Sequence, residues 1–249
     1  MTTNVDPDLA ATLRRLKLGQ ILTTLPERLT LAKTNRLSHA EFLQIVLSDE
    51  TSRRDSSSAT RRARTAGLDR TMTLDAWDPT ATVAYDHHLW DELVSLRFVD
   101  NANNLIVMGP VGVGKTFLAT ALGHIAIRRR RSVHFERTDR LLKRLRISRL
   151  DNSHDTEIRK LLKVDVLILD DFALAALGHD DTADIYELVV ERHRRASTIL
   201  TSNREPNEWI ALMTDPLLAQ SAVDRLKSNA HELIIEGDSY RNRQKPVIT

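Results

Sequence analysis

The chain of 249 residues contains no cysteine, which excludes disulfides, cysteine nucleophiles and thiolate metal sites. None of its nine histidines falls in an H-E-x-x-H or comparable ligand spacing; His87-His88 reads as a pair on a solvated helix, and no structural metal is expected. It also lacks any apolar run long enough to span a bilayer, and Met1 to Asp8 lacks the charged-then-apolar layout of a signal peptide. The expected location is the cytoplasm, with no membrane partner. Internal repeats and low-complexity segments are missing too. What is present is the balance of a globular protein, 41% hydrophobic and 28% charged, with length enough for one medium domain and a smaller one.

A formal net charge of only +2 conceals segregation. Residues 128–149 hold ten Lys/Arg against two Asp/Glu, whereas residues 150–249 hold twelve against eighteen. One short block thus carries most of the basic excess, which suggests a local surface for a polyanion.

Gly109-Pro110-Val111-Gly112-Val113-Gly114-Lys115-Thr116 satisfies the phosphate-binding pattern G-x-x-x-x-G-K-[ST] at every fixed position. Asn104 to Met108 before it reads as a buried strand, and the Ala/Leu-rich stretch from Phe117 to Ile127 after it as a helix. Glycines at these positions let backbone N–H groups approach phosphate oxygens, and the helix points its positive end at them. The expected ligand is ATP with Mg²⁺. Lys115 is expected to reach the β- and γ-phosphates, Thr116 to hold the metal, and Phe117 to contact the nucleotide at the start of the helix.

From Asn104 onward, apolar strands and amphipathic helices alternate, which predicts an α/β domain with a mainly parallel sheet and a ligand at the strands' carboxyl ends. One strand ends in Leu167-Ile168-Leu169-Asp170-Asp171: Asp170 is expected to hold Mg²⁺ and Asp171 to orient or activate the attacking water. The next ends in Thr201-Ser202-Asn203, where Asn203 is the best placed to meet the γ-phosphate or that water. The domain limits expected are a helical domain over residues 1–70, a connector over 71–103 and the nucleotide domain over 104–249. In the first, Leu9, Leu13 and Leu16 fall at helical spacing, and Ser38 with Glu41 forms a capping box opening a helix that Gly67 stops. That helix carries Arg53, Arg54, Arg61, Arg62 and Arg64, either a solvated face or a nucleic-acid contact.

These motifs, their order, and Glu208-Trp209, Asp224-Arg225-Leu226 and Gly237-Asp238-Ser239-Tyr240-Arg241 resemble the AAA+ ATPases of the initiator and helicase-loader branch. The resemblance is closest to the IstB-type transposition helpers, with the DnaC-type loaders as near relatives. It implies a P-loop AAA+ domain with a five-stranded parallel sheet after a small all-α domain. With about a dozen residues following the last strand, no C-terminal lid is expected. It further implies that Arg225 is an arginine finger reaching a neighbouring subunit's γ-phosphate and that Arg241 senses nucleotide. Against the family's pattern, Asp171 stands where many members have Glu, and Phe172-Ala173 lacks a common glycine.

In this branch the region after the second strand carries DNA contacts, which implies duplex DNA as a partner of Arg137, Arg140, Lys143, Arg144, Arg146 and Arg149; Arg128 to Arg131 either join them or complement a helix C-terminus. Little aromatic character accompanies the block beyond Phe135, so stacking on single strands is not expected. The implied activity is an ATPase that assembles as a homo-oligomer on duplex DNA and stimulates a transposase. A helicase loader, a small-molecule kinase and a nucleotide-gated scaffold without hydrolysis are the alternatives.

Overall fold

The computed structural model describes residues 5–78 and 83–240. The chain divides into two compact units, residues 1–61 and 62–249. The first is helical: α1 (Pro7–Arg15), α2 (Ile21–Asn35) and most of α3 (His39–Thr65). Asp6 caps α1 by accepting from the amides of Asp8 and Leu9. The Ser38/Glu41 box forms as expected, with the Ser38 amide donating to Glu41 Oε2 at 2.7 Å and the Glu41 amide to Ser38 Oγ at 3.3 Å. Ile21, Leu25 and Val46 make its small core, with Leu13, Leu22 and Phe42 packed against them. Leu9 and Leu16, expected on the same apolar face as Leu13, stay largely exposed instead. A nine-residue helix has only two and a half turns, and Leu13 alone reaches the core. Arg53 and Arg54 both bond Glu50, and the hydrogen bond from Arg53 holds its carboxyl at about 2.

The second unit is an α/β layer structure. After a 3₁₀ turn at Leu74–Ala76 come β1 (Val83–Ala84), α4 (His87–Ser95) and α5 (Arg97–Asp100), the two helices being separated at Leu96 by a left-handed backbone. His87 and His88 lie exposed at the start of α4. Then follow β2 (Asn104–Met108), α6 (Lys115–Arg128), β3 (Val133–Arg137), α7 (Thr138–Leu150), α8 (His154–Leu162) and β4 (Val166–Asp170). The rest comprises α9 (His179–Arg192), β5 (Ser197–Ser202), α10 (Pro206–Ile210), α11 (Pro216–Ser228), β6 (Ala230–Ile234) and β7 (Glu236–Gly237). The short α10, opened by Pro206, lay outside the sequence expectation.

Five strands form one parallel sheet in the order β3-β4-β5-β2-β6. The three central strands are buried at every residue, which is why β2 and β4 read as nearly continuous apolar runs rather than alternations. Ile106, Leu167, Leu169 and Leu200 of the sheet pack with Leu141, Leu145, Ile185, Leu188, Trp209 and Leu226 of the helices. Each such fully buried leucine contributes roughly 1.5–3 kcal/mol. Register puts Met108 opposite Ser202 and Arg137 opposite Asp170, so the expected site residues emerge along one edge of the sheet. β1 and β7 form a separate antiparallel pair, Val83 opposite Gly237 and Ala84 opposite Glu236. It joins the segment before β2 to the segment after β6.

Candidate functional site

The loop between β2 and α6 is held in its shape by residues that only glycine suits. Gly114 has φ of 100°, and a Cβ there would meet the Trp77 ring at 2.8 Å; Gly112 has φ of 90°, and a Cβ there would overlap Ser239 Oγ. The loop backbone is therefore approached from both sides, by the connector and by the segment after β7. The Tyr240 amide donates to Gly112 O at 3.0 Å. Lys115 is buried, and its ammonium donates to Gly109 O at 2.8 Å and Pro110 O at 2.7 Å, so the charge sits inside the loop.

The carboxylates lie beside this loop. Thr116 Oγ1 donates to Asp170 Oδ1 at 2.8 Å, joining two motifs 54 residues apart. Thr201 Oγ1 donates to the same oxygen at 2.6 Å, and Thr138 Oγ1 donates to the Asp170 carbonyl at 2.9 Å. Burial pushes the Asp170 carboxyl above its ordinary value, against the hydrogen bonds from Thr201 and Thr116 that favour its charged form. The donor set is all oxygen, which suits a hard cation such as Mg²⁺. Asp171 is half-exposed, with a left-handed backbone at φ 53°, and its carboxylate faces Arg137 Nε at 3.9 Å. Ala173, where the family resemblance led one to look for glycine, is also left-handed at φ 54°. An alanine there carries a strain on the order of 1–2 kcal/mol that glycine would not.

The loop, Asp171 and Asn203 border one cavity of about 610 Å³. Val111 to Phe117, Asp171 and Asn203 line it together with Thr71, Met72, Trp77, Val83 and Tyr240. Trp77 lies 5.2 Å from Phe117, ring centre to ring centre, and 6.3 Å edge-on from Tyr85, which in turn meets Trp90 at 6.1 Å. Of these rings, Trp77 and Phe117 line the cavity, and their faces suit the flat face of a base. The sequence reading took residues 71–103 as a mere link and missed this wall. The available signal was the cluster of aromatics in that stretch, Trp77, Tyr85 and Trp90. Asn203, exposed beyond the end of β5, also lines a second hollow with Gly109, Pro110, Glu205 and Glu208.

Arg225 lies on α11, half-buried and away from this cavity, folded back to donate to Ser221 O at 3.0 Å and to Ser221 Oγ. Arg241 lies outside the described residues. The six basic residues of the β3–α7 region divide. Arg144 bridges Glu136 and Glu157, and Arg149 bonds the buried Asp184 at 2.6 Å. Arg146 stands 3.5 Å from Asp181, and Arg137 pairs with Asp139 at 3.2 Å. Burial raises the Glu136 carboxyl, but hydrogen bonds from His134 and Arg144 overcome it and hold the group at about 2. Arg140 and Lys143 are exposed and have no ion-pair partner among the described residues. Of the four arginines closing α6, Arg129 bonds Ser95 O and Arg131 pairs with Asp100.

Residues 11–247 match the family described as IstB-like ATP binding protein. The chain is 41% identical over 242 residues to a putative ATP-binding protein in an insertion sequence of Mycobacterium tuberculosis, covering 97% of this chain and 96% of that one. It is 33% identical over 238 residues to the insertion sequence IS21 putative ATP-binding protein of Pseudomonas aeruginosa, covering 96% and 90%. Among solved structures, the DnaC helicase loader superposes with a TM-score of 0.54 at 22% identity, over 67% of this chain and 98% of that one. AMPPCP-bound DnaA from Aquifex aeolicus gives 0.54 at 22% identity, over 70% and 53%. Both structural likenesses concern the architecture, that of the AAA+ P-loop domain. Matched from residue 11 to residue 247, and by relatives over nearly their whole length, this chain belongs to the IstB-like ATP-binding proteins of insertion sequences.

Proposed function

We propose that the protein is a Mg²⁺-dependent ATPase of the cytoplasm that assembles on duplex DNA and assists a partner transposase. The observation that carries the ATPase reading is the 2.8 Å contact of Thr116 with Asp170, which brings the phosphate loop and the acidic strand end to one point. Thr116 and Asp170 hold Mg²⁺, whose charge offsets that of the phosphate oxygens. Lys115 neutralises the phosphates from the loop side, while Asp171 and Asn203, both lining the cavity, position the attacking water. Arg225 lies away from its own chain's cavity, a placement that supports a role in a neighbour's site. Arg241 is assigned to sensing nucleotide on family likeness.

Arg140 and Lys143 on the outer side of α7 carry the phosphate contacts, with Arg137 and Arg146 beside them at the rim; Arg144 and Arg149 chiefly hold α7 to its neighbours. Repeated over a homo-oligomer, the set forms a basic track whose affinity falls steeply with salt. The helical domain, residues 1–70, contributes further contacts to DNA or transposase through Arg61, Arg62 and Arg64; residues 71–103 connect it to the ATPase domain, 104–249.

Light-scattering mass in ATP and Mg²⁺, with no DNA, single-stranded DNA or duplex, tests this reading. A large complex on duplex, lost in Arg225→Ala, is expected. Assembly on single strands alone transfers the reading to a helicase loader, and a monomer throughout removes the oligomeric mechanism.

A further inference from the structure

Thr201 is fully buried near the end of β5, and its hydroxyl has its hydrogen-bonding direction forced. The Asp171 amide can only donate, and it does so to Thr201 Oγ1 at 3.0 Å. The hydroxyl proton is therefore left for Asp170 Oδ1, at 2.6 Å. Since Thr116 Oγ1 donates to that same oxygen, Oδ1 takes two hydroxyl donors, and no hydrogen bond from the described residues falls on Oδ2. We propose that Thr201 is a positioning residue: its single hydroxyl sets both carboxylates of the site, locking Asp170 with Oδ2 left for the metal side and holding the left-handed Asp171 backbone that carries the second carboxylate into the cavity.

Two further contacts separate this hydroxyl from the frame around it. The Thr201 carbonyl accepts from the Phe172 amide at 2.8 Å, and Ser202 Oγ donates to the Phe172 carbonyl at 2.9 Å. Both remain when only the Thr201 hydroxyl is removed, so the strand end and the turn keep their backbone ties. Groups that orient a ligand without touching the metal typically change metal affinity about 10–100-fold when lost.

The inference rests on the ATPase reading, and the experiment separates the two. Thr201→Val and Thr201→Ser are compared with wild type by phosphate release as a function of Mg²⁺ and of ATP, and by Mn²⁺ binding to the full chain with ADP, followed by electron paramagnetic resonance. The valine variant is expected to need about tenfold more metal in both measurements and to lose about tenfold in kcat, with KM for ATP within about threefold. The serine variant is expected to return all three to within about threefold of wild type. Wild-type metal dependence in the valine variant overturns the proposal, as does a serine variant as impaired as valine. Should the valine variant fail to fold, Thr201→Ala removes the same hydroxyl and carries the comparison. A wild type that neither releases phosphate nor binds Mn²⁺ with ADP overturns the ATPase reading instead.

Discussion

The two groups of residues that line the cavity are built on different principles. In the first group, one contiguous run from Gly109 to Thr116 supplies backbone groups, one buried cation and one hydroxyl, completed by the carboxylates at the end of β4. In the other group, Met72, Trp77 and Val83 come from the segment before β2 and Tyr240 from the segment after β7, and they offer side-chain surface. Charge is recognised by fixed dipoles at fixed spacing, so its apparatus is short and local. A flat ring is recognised by enclosure, and any apolar side chains that can be brought together will serve. The difference is between a site specified by a motif and one specified by the fold.

The sharpest way to break this division is Lys115→Ala. It is expected to cut phosphate release by about 100-fold or more, and to weaken ATP and inorganic tripolyphosphate alike in calorimetric titration. Trp77→Ala has the next largest effect. Base stacking on an aromatic is worth about 1–3 kcal/mol, so ATP affinity should drop about tenfold while tripolyphosphate affinity stays at the wild-type value. Equal losses for both ligands in that variant would dissolve the distinction between the two groups. The smallest change is Phe117→Leu, which removes the neighbour of Trp77: about a threefold loss of ATP affinity is expected, since such aromatic pairs contribute about 0.5–1.5 kcal/mol. Combined with Trp77→Ala it should add almost nothing, because the two rings act as a pair.

The same division decides what could be read from the chain. The turn between β2 and α6, the place of Asp170 at a strand end and the helix that Gly67 stops were legible, because each is encoded by neighbours in sequence; the count of five strands followed from the family resemblance. Thr201 was overlooked in favour of Asn203, since strand spacing reveals that a residue is buried but not which oxygen it meets across the sheet. The basic block shows the limit most plainly. Arg137 to Arg149 read as one cationic surface, yet the fold brings Glu157, Asp181 and Asp184 from α8 and α9 against it. Arg149 thereby compensates a carboxylate that is almost wholly out of water, and its removal leaves a buried charge with His154 as its one ion-pair partner among the described residues. Composition counts charges but does not say which are spent inside the molecule.

The β1–β7 pair ties together segments separated by about 150 residues of intervening chain, and this bears on the order in which the domain matures. Closing so long a loop costs entropy that local structure does not. The phosphate loop can take shape as soon as β2 and α6 meet. The wall with Tyr240 in place requires both flanks of the sheet to have been brought together, so it is expected to form after the loop.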